Sequence, residues 1–168
     1  MNDSEILMNP NDLVQFLKKE PKDFTKEDII RFCEEKEIQM VNFRYVAADG
    51  RLKTLNFVLS SKEYLDTILS DGERVDGSSL FPFIEAGSSD LYVIPRYSTA
   101  FMDPFAEVPT LDILCSFYDN TGKPLASSPE YILRQAALTF KKETGMDYKC
   151  LGELEYYVIG DAGLFLEG

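Results

Sequence analysis

Two short stretches carry side chains whose types and spacing could do chemistry. Val75-Asp76-Gly77-Ser78-Ser79 joins a carboxylate, a glycine and two hydroxyls, and Gly152-Glu153-Leu154-Glu155-Tyr156 sets two carboxylates two residues apart near the other end. By composition the first is a turn, because Asp and Ser bond their own backbone and Gly permits positive φ; the same chemistry puts an anionic acceptor on a loop. On a strand, residues two apart face the same way, so Glu153 and Glu155 would project together beside Leu151 and Tyr157, about 6–7 Å apart along the backbone. Aligned carboxylates repel unless one is protonated or a cation lies between them. Oxygen ligands favour a hard ion, Mg²⁺ or Mn²⁺, although two glutamates fill only part of an octahedral shell, and a solvated face is the plain alternative.

The composition narrows what these groups can do. There is no histidine in the 168 residues, which excludes Ser-His-Asp and Cys-His catalysis and any histidine metal site within this chain. Cys33, Cys115 and Cys150 are odd in number and widely spaced, a pattern of reduced, mostly buried thiols rather than a disulfide framework or a zinc site. Seventeen basic against 29 acidic residues give a net charge of −12, which argues against binding nucleic-acid phosphates or anionic membranes. The N-terminus has no basic region followed by an apolar run, and no apolar stretch is long enough to span a bilayer, so the expected location is cytoplasmic. An apolar fraction of 45% with 12% aromatic residues is that of a folded chain, one domain or a small domain plus the beginning of another.

The elements that must position these groups follow from periodicity and punctuation. Asn11 caps a short helix with Leu13, Phe16 and Leu17 on one face, ending at Pro21; Thr25 and Asp28 open a second, with Ile29, Phe32 and Cys33 inward and Glu34-Glu35-Lys36-Glu37 as its solvated end. From Ile38 the period becomes two, and Asp49-Gly50 between 38–48 and 51–59 predicts a hairpin with a type I′ turn. Ser60 with Glu63 caps a helix carrying Tyr64, Leu65, Ile68 and Leu69 inward and closed by Gly72. Residues 73–90, holding the D-G-S-S segment and the apolar Leu80-Phe81-Pro82-Phe83, read as an irregular but ordered functional loop, or one ordered by a neighbouring subunit. Strands follow at 91–94 and 111–118, the latter ending in the turn Asp119-Asn120-Thr121-Gly122. Ser128 and Pro129 start a helix whose Leu133, Ala136, Ala137 and Phe140 stripe is expected in a core, Gly145 closes it, and a strand is expected at 148–159. The only candidate domain boundary is the loop around 120–128.

Taken together, Asp76-Gly77-Ser78-Ser79, Ser89-Asp90, the run Ser98-Thr99-Ala100-Phe101-Met102-Asp103-Pro104-Phe105, a strand, a Ser-Pro-started helix and Glu153-Leu154-Glu155-Tyr156-Tyr157 resemble the N-terminal part of glutamine synthetase of the bacterial and archaeal type, from about Ile38 onward. The resemblance implies an α+β fold: a helical segment 1–37, a β-grasp-like mixed sheet with flanking helices over 38–120, and over 121–168 the helix and strand that begin a truncated catalytic domain. It implies a ring-shaped homo-oligomer with the active site between adjacent subunits. Asp76, with Ser79 beside it, would belong to the loop lent to a neighbour's site, where the Asp helps bind ammonium and remove its proton. Glu153 and Glu155 would each ligate a different Mg²⁺ or Mn²⁺ ion, one near the ATP phosphates and one near glutamate, supporting γ-glutamyl phosphate formation. Arg96-Tyr97 stands where the family more often has Asp-Pro, Leu151-Gly152 replaces a frequent Gly-Pro, and Ala86-Gly87-Ser88 replaces a more acidic stretch, so the amine substrate stays open. The nucleotide pocket, the glutamate-binding arginines and the remaining metal ligands are not in the sequence, so a fragment of this kind is expected to be inactive alone and to bind no cofactor tightly. A non-catalytic interaction or assembly module, and a γ-glutamyl ligase for another amine, are the alternative readings.

Overall fold

The structure, a computed structural model, describes residues 2–85 and 89–158. The chain divides into two units, Met1–Gln135 and Ala136–Gly168. In the first, α1 (Asp3–Leu7) and α2 (Asp12–Leu17) precede α3 (Lys26–Glu35), then come β1 (Met40–Val46), β2 (Leu52–Val58), α4 (Lys62–Asp71), β3 (Glu73–Asp76), the single turn α5 (Gly77–Leu80), β4 (Asp90–Pro95), β5 (Phe101–Met102) and β6 (Thr110–Asp119). The strands form one mixed sheet in the order β2-β1-β6-β4-β3, with β5 also paired to β6. Only β1 and β6 run parallel; the other pairs are antiparallel.

The helices start where side-chain acceptors take up orphan amides. Asn11 accepts from the Leu13 amide, and Thr25 with Asp28 forms a complete capping box at α3. Capped in this way, α3 presents Ile29, Phe32 and Cys33, and α4 presents Leu65, Ile68 and Leu69, to the alternating face Val41, Phe43, Tyr45 of β1 and Leu111, Ile113, Cys115, Phe117 of β6; all belong to one buried cluster. On the opposite face of the central strands polar side chains gather, with Asn42 and Asp112 buried. There Asn56 Nδ2 donates to Asn42 Oδ1 at 2.7 Å and Asn42 Nδ2 to Asp112 Oδ1 at 2.7 Å, while Arg44 Nε donates to Asp112 Oδ2 at 2.5 Å. Asn42 stands opposite both Asn56 and Asp112 in register, so the bonds make a rung across three strands. No helix among the described residues is long and apolar enough to cross a membrane.

Several expectations are corrected. The hairpin loop is not type I′, which needs positive φ at both central residues: Gly50 alone has it, at 73°, and the Gly50 amide donates to the Ala47 carbonyl at 3.0 Å, giving a longer loop around an ordinary turn. Ser61, not Ser60, caps α4 by accepting from the Tyr64 amide, and Tyr64 is exposed rather than inward. The helix that starts at Asn11 is α2, which ends at Leu17 with Lys18 as a left-handed cap rather than at Pro21, and α1 has no counterpart in the periodicity. The irregular region contains an edge strand and a helical turn, β3 and α5. Ser128 and Pro129 do start α6 (Pro129–Thr144), and Gly145 has the left-handed φ of a helix stop, but no residue of α6 is buried among the described residues and Leu133 is 68% exposed, so the stripe does not form the core expected of it there. No strand is formed at 148–158; residue 159 and the stretch 86–88 lie outside the described residues. Cys33 and Cys115 are buried as expected, whereas Cys150 is exposed.

Candidate functional site

The acidic turn at the sheet edge is built by two glycines and a buried phenylalanine. Gly72 ends α4 at φ 69°, where a Cβ would lie 2.3 Å from the Val93 carbonyl oxygen; only glycine lets the chain turn this tightly from helix into β3. Antiparallel pairing with β4 then carries the chain to Asp76, opposite Asp90. At Gly77 the amide donates to the Ser89 carbonyl at 2.7 Å, and a Cβ would meet that oxygen at 2.8 Å and Leu91 Cδ1 at 2.7 Å. On the far side of the turn Phe81 is fully buried, edge-on to Phe117 at 5.0 Å, and its amide donates to the Gly77 carbonyl at 2.8 Å. The apolar insert read from the sequence is therefore the anchor of the turn, although Phe83 beside it stays 58% exposed.

Asp76 is exposed at the tip. Its Oδ1 accepts from the Ser78 amide at 3.0 Å and from the Ser78 hydroxyl at 2.7 Å, which caps α5. The Ser78 hydroxyl, a hydroxyl bond from Ser89 and the Ser78 amide hold the Asp76 carboxyl below its ordinary range, because donors to the charged form favour it. Ser79 is tied differently: its hydroxyl donates to the Asp76 backbone carbonyl at 2.7 Å. Arg74 pairs with Asp90 at 3.2 Å, so among the described residues no cation is paired with Asp76. Sequence reading picked Asp76 and Ser79; the contacts to the carboxylate from Ser78 and Ser89 were missed, although D-x-S is the pattern of a side chain bonding two residues on.

Glu153 and Glu155 are exposed on an irregular stretch, flanked by Leu154 at 87% and Tyr157 at 96% exposure. Among the described residues there is no group of three or more His, Cys, Asp or Glu side chains that could hold a metal ion. The described residues thus do not by themselves form an Mg²⁺ or Mn²⁺ site.

A curled mixed sheet with helices on one face and an acidic turn at its edge defines a β-grasp type of α+β domain. The glutamine synthetase β-grasp domain matches residues 37–120, half of the chain, and the chain belongs to the glutamine synthetase family. It is 30% identical over 140 residues to a glutamine synthetase of Methylococcus capsulatus and 28% identical over 141 residues to one of Frankia alni, covering 82% of this chain and 29% of each relative. A 3-hydroxylaminophenol mutase of Cupriavidus pinatubonensis is 28% identical over 120 residues, 71% of this chain and 25% of that protein. The fold is shared with the cryo-EM structure of Plasmodium falciparum glutamine synthetase at a TM-score of 0.62 and 19% identity, over 71% of this chain and 23% of that one, and with ligand-free GmaS at 0.61 and 12%, over 68% and 26%. The chain thus spans less than a third of the length of these relatives.

Proposed function

We propose that this chain is the N-terminal part of an ATP-dependent glutamate–ammonia ligase acting through γ-glutamyl phosphate, and that it lends the Asp76 turn to the active site of a neighbouring subunit. The observation that carries the reading is the state of Asp76: an exposed carboxylate whose titration is lowered by neutral donors and which has no paired cation among the described residues. Such a group attracts an ammonium ion and, by the family resemblance, also helps remove its proton, leaving ammonia with a free lone pair; the lowered titration supports the first role, since it makes the carboxylate a weaker base. Ser79 lies beside it in the same turn. In this reading residues 1–37 form an N-terminal helical segment, 38–120 the β-grasp-like domain and 121–168 the start of the catalytic domain. Glu153 and Glu155 enter the Mg²⁺ or Mn²⁺ shells only when residues beyond this chain complete them; bound metals would supply charge neutralisation for the phosphoryl group. Glutamate, ammonium and ATP are the ligands of the whole enzyme, a cytoplasmic ring-shaped homo-oligomer without nucleic-acid or membrane partners, and this chain alone is inactive.

The test is expression of the whole reading frame that contains this chain, assayed for ADP and glutamine formed from ATP, glutamate and ammonium with Mg²⁺ or Mn²⁺. Activity that falls about 10²-fold or more in Asp76→Asn supports the reading. A frame that stops after Gly168, or a product whose activity is indifferent to Asp76→Asn, overturns it. Larger amines in place of ammonium in the same assay identify a γ-glutamyl ligase for another amine.

A further inference from the structure

We propose that Ser78, rather than Ser79, is the positioning residue of Asp76: its hydroxyl and amide together lock one carboxylate oxygen and orient the group as an acceptor for a substrate cation. This rests on the reading of Asp76 as the residue that meets ammonium. The assignment follows from counting protons. A serine has one O–H to donate; Ser79 gives its own to the Asp76 backbone carbonyl at 2.7 Å, and Ser78 gives its own to Asp76 Oδ1 at 2.7 Å. Capping α5 requires only the Ser78 amide bond at 3.0 Å, so the hydroxyl bond is surplus to the helix and acts on the carboxylate.

The surroundings make neutral donors the right device. Asp90 faces Asp76 across the β3–β4 pair and Arg74 is committed to Asp90; Glu85 and Asp119 line the adjacent hollow with Asp90, and Asp119 is itself held by the Thr121 hydroxyl at 2.7 Å. A lysine or arginine bonded to Asp76 would keep it ionised but would neutralise it against the incoming ammonium. Hydroxyl and amide donors keep the charge in place and uncompensated. The direction of the Asp76 titration agrees, with the Ser78 hydroxyl as its largest cause and the Ser89 hydroxyl next.

The experiment is a ¹³C NMR titration of the Asp76 carboxyl in the full chain and in Ser78→Ala, Ser78→Thr and Ser79→Ala, with amide spectra confirming the fold of each. Ser78→Ala is expected to move the Asp76 titration to higher pH, while Ser78→Thr, which keeps the hydroxyl, and Ser79→Ala leave it in place. An unmoved titration in Ser78→Ala, or an equal shift in Ser79→Ala, overturns the assignment. In the ligase encoded by the whole reading frame, Ser78→Ala moves the acid limb of kcat/KM for ammonium to higher pH and Ser78→Thr restores it; an unmoved limb also overturns the proposal. Full activity in Asp76→Asn would overturn the function proposed above, whereas the NMR titration decides Ser78 independently of it.

Discussion

Replacing Phe81 by alanine tests whether the acidic turn is held by the core or merely rests on it. Phe81 is 0% exposed, meets Phe117 edge-on with ring centroids 5.0 Å apart and touches Phe83 at 5.6 Å. Removing a fully buried ring from such a site costs about 3–5 kcal/mol, the transfer of the ring plus the cavity left behind, since Phe117 and the sheet cannot collapse into the space. For a chain of this size that lowers Tm by on the order of 10 °C. Because the Phe81 amide also closes the turn onto the Gly77 carbonyl, amide exchange should rise at 77–81 before it rises in β1 or β6. Thermal and urea unfolding followed by circular dichroism gives the first quantity, hydrogen exchange the second. The control is Phe105→Ala: that ring is 93% exposed, and its loss should stay within about 0.5 kcal/mol. Equal losses for the two variants, or a loss below about 1 kcal/mol for Phe81→Ala, would refute the anchoring role.

Asp112→Ala should cost about 3 kcal/mol in the same unfolding assay, because it strips Asn42 and Arg44 of their acceptor on a buried face while Asp103, 3.2 Å from Arg44, remains as a weaker partner. Asp28 predicts a pH dependence: burial alone would push its carboxyl up, but the Lys19 ammonium at 2.8 Å and the Thr25 donors outweigh it and hold it below its ordinary value of 3.8. A group depressed on folding contributes stability above its unfolded pKa and loses it as pH falls through the folded value, so the stability gap between the wild type and Asp28→Asn should be full near neutrality and close below pH 3.8. Thiol chemistry separates the cysteines: Cys150 is exposed, burial pushes Cys33 up to about 12 and raises Cys115 as well, so a thiol reagent at neutral pH should label Cys150 quickly and the other two only after unfolding.

Much of the framework was legible because it is written in local chemistry. Thr25 and Asp28, Asn11, Ser128 with Pro129, and Gly72 mark helix ends through groups that satisfy backbone amides or permit a left-handed turn within a few residues. The alternation in 40–46 and 110–119 revealed strands for the same reason, one buried face being enough to impose a period of two. The errors lie where a local signal has two neighbouring solutions. Ser60 and Ser61 are both competent caps, and only Ser61 accepts from the Tyr64 amide. Asp49-Gly50 suits two hairpin geometries, and strand register chooses between them. At the acidic turn the sequence places Ser79 beside Asp76, and the structure adds that the hydroxyl two residues on, that of Ser78, reaches the carboxylate while that of Ser79 reaches the Asp76 backbone carbonyl.

What the sequence determined by itself was the class of chemistry: no imidazole, an excess of carboxylates, and a carboxylate-glycine-hydroxyl turn placed between elements of an α+β fold. Those are properties of residue types and short spacings. Only the tertiary structure decided that Asp76 ends an edge strand opposite Asp90, that Phe81 pins the turn from inside, and that among the described residues no residue of α6 is buried and Glu153 and Glu155 are exposed. An apolar stripe or a pair of carboxylates looks the same in a sequence whether or not a partner surface exists. Burial belongs to the assembly of elements, which a local pattern does not record.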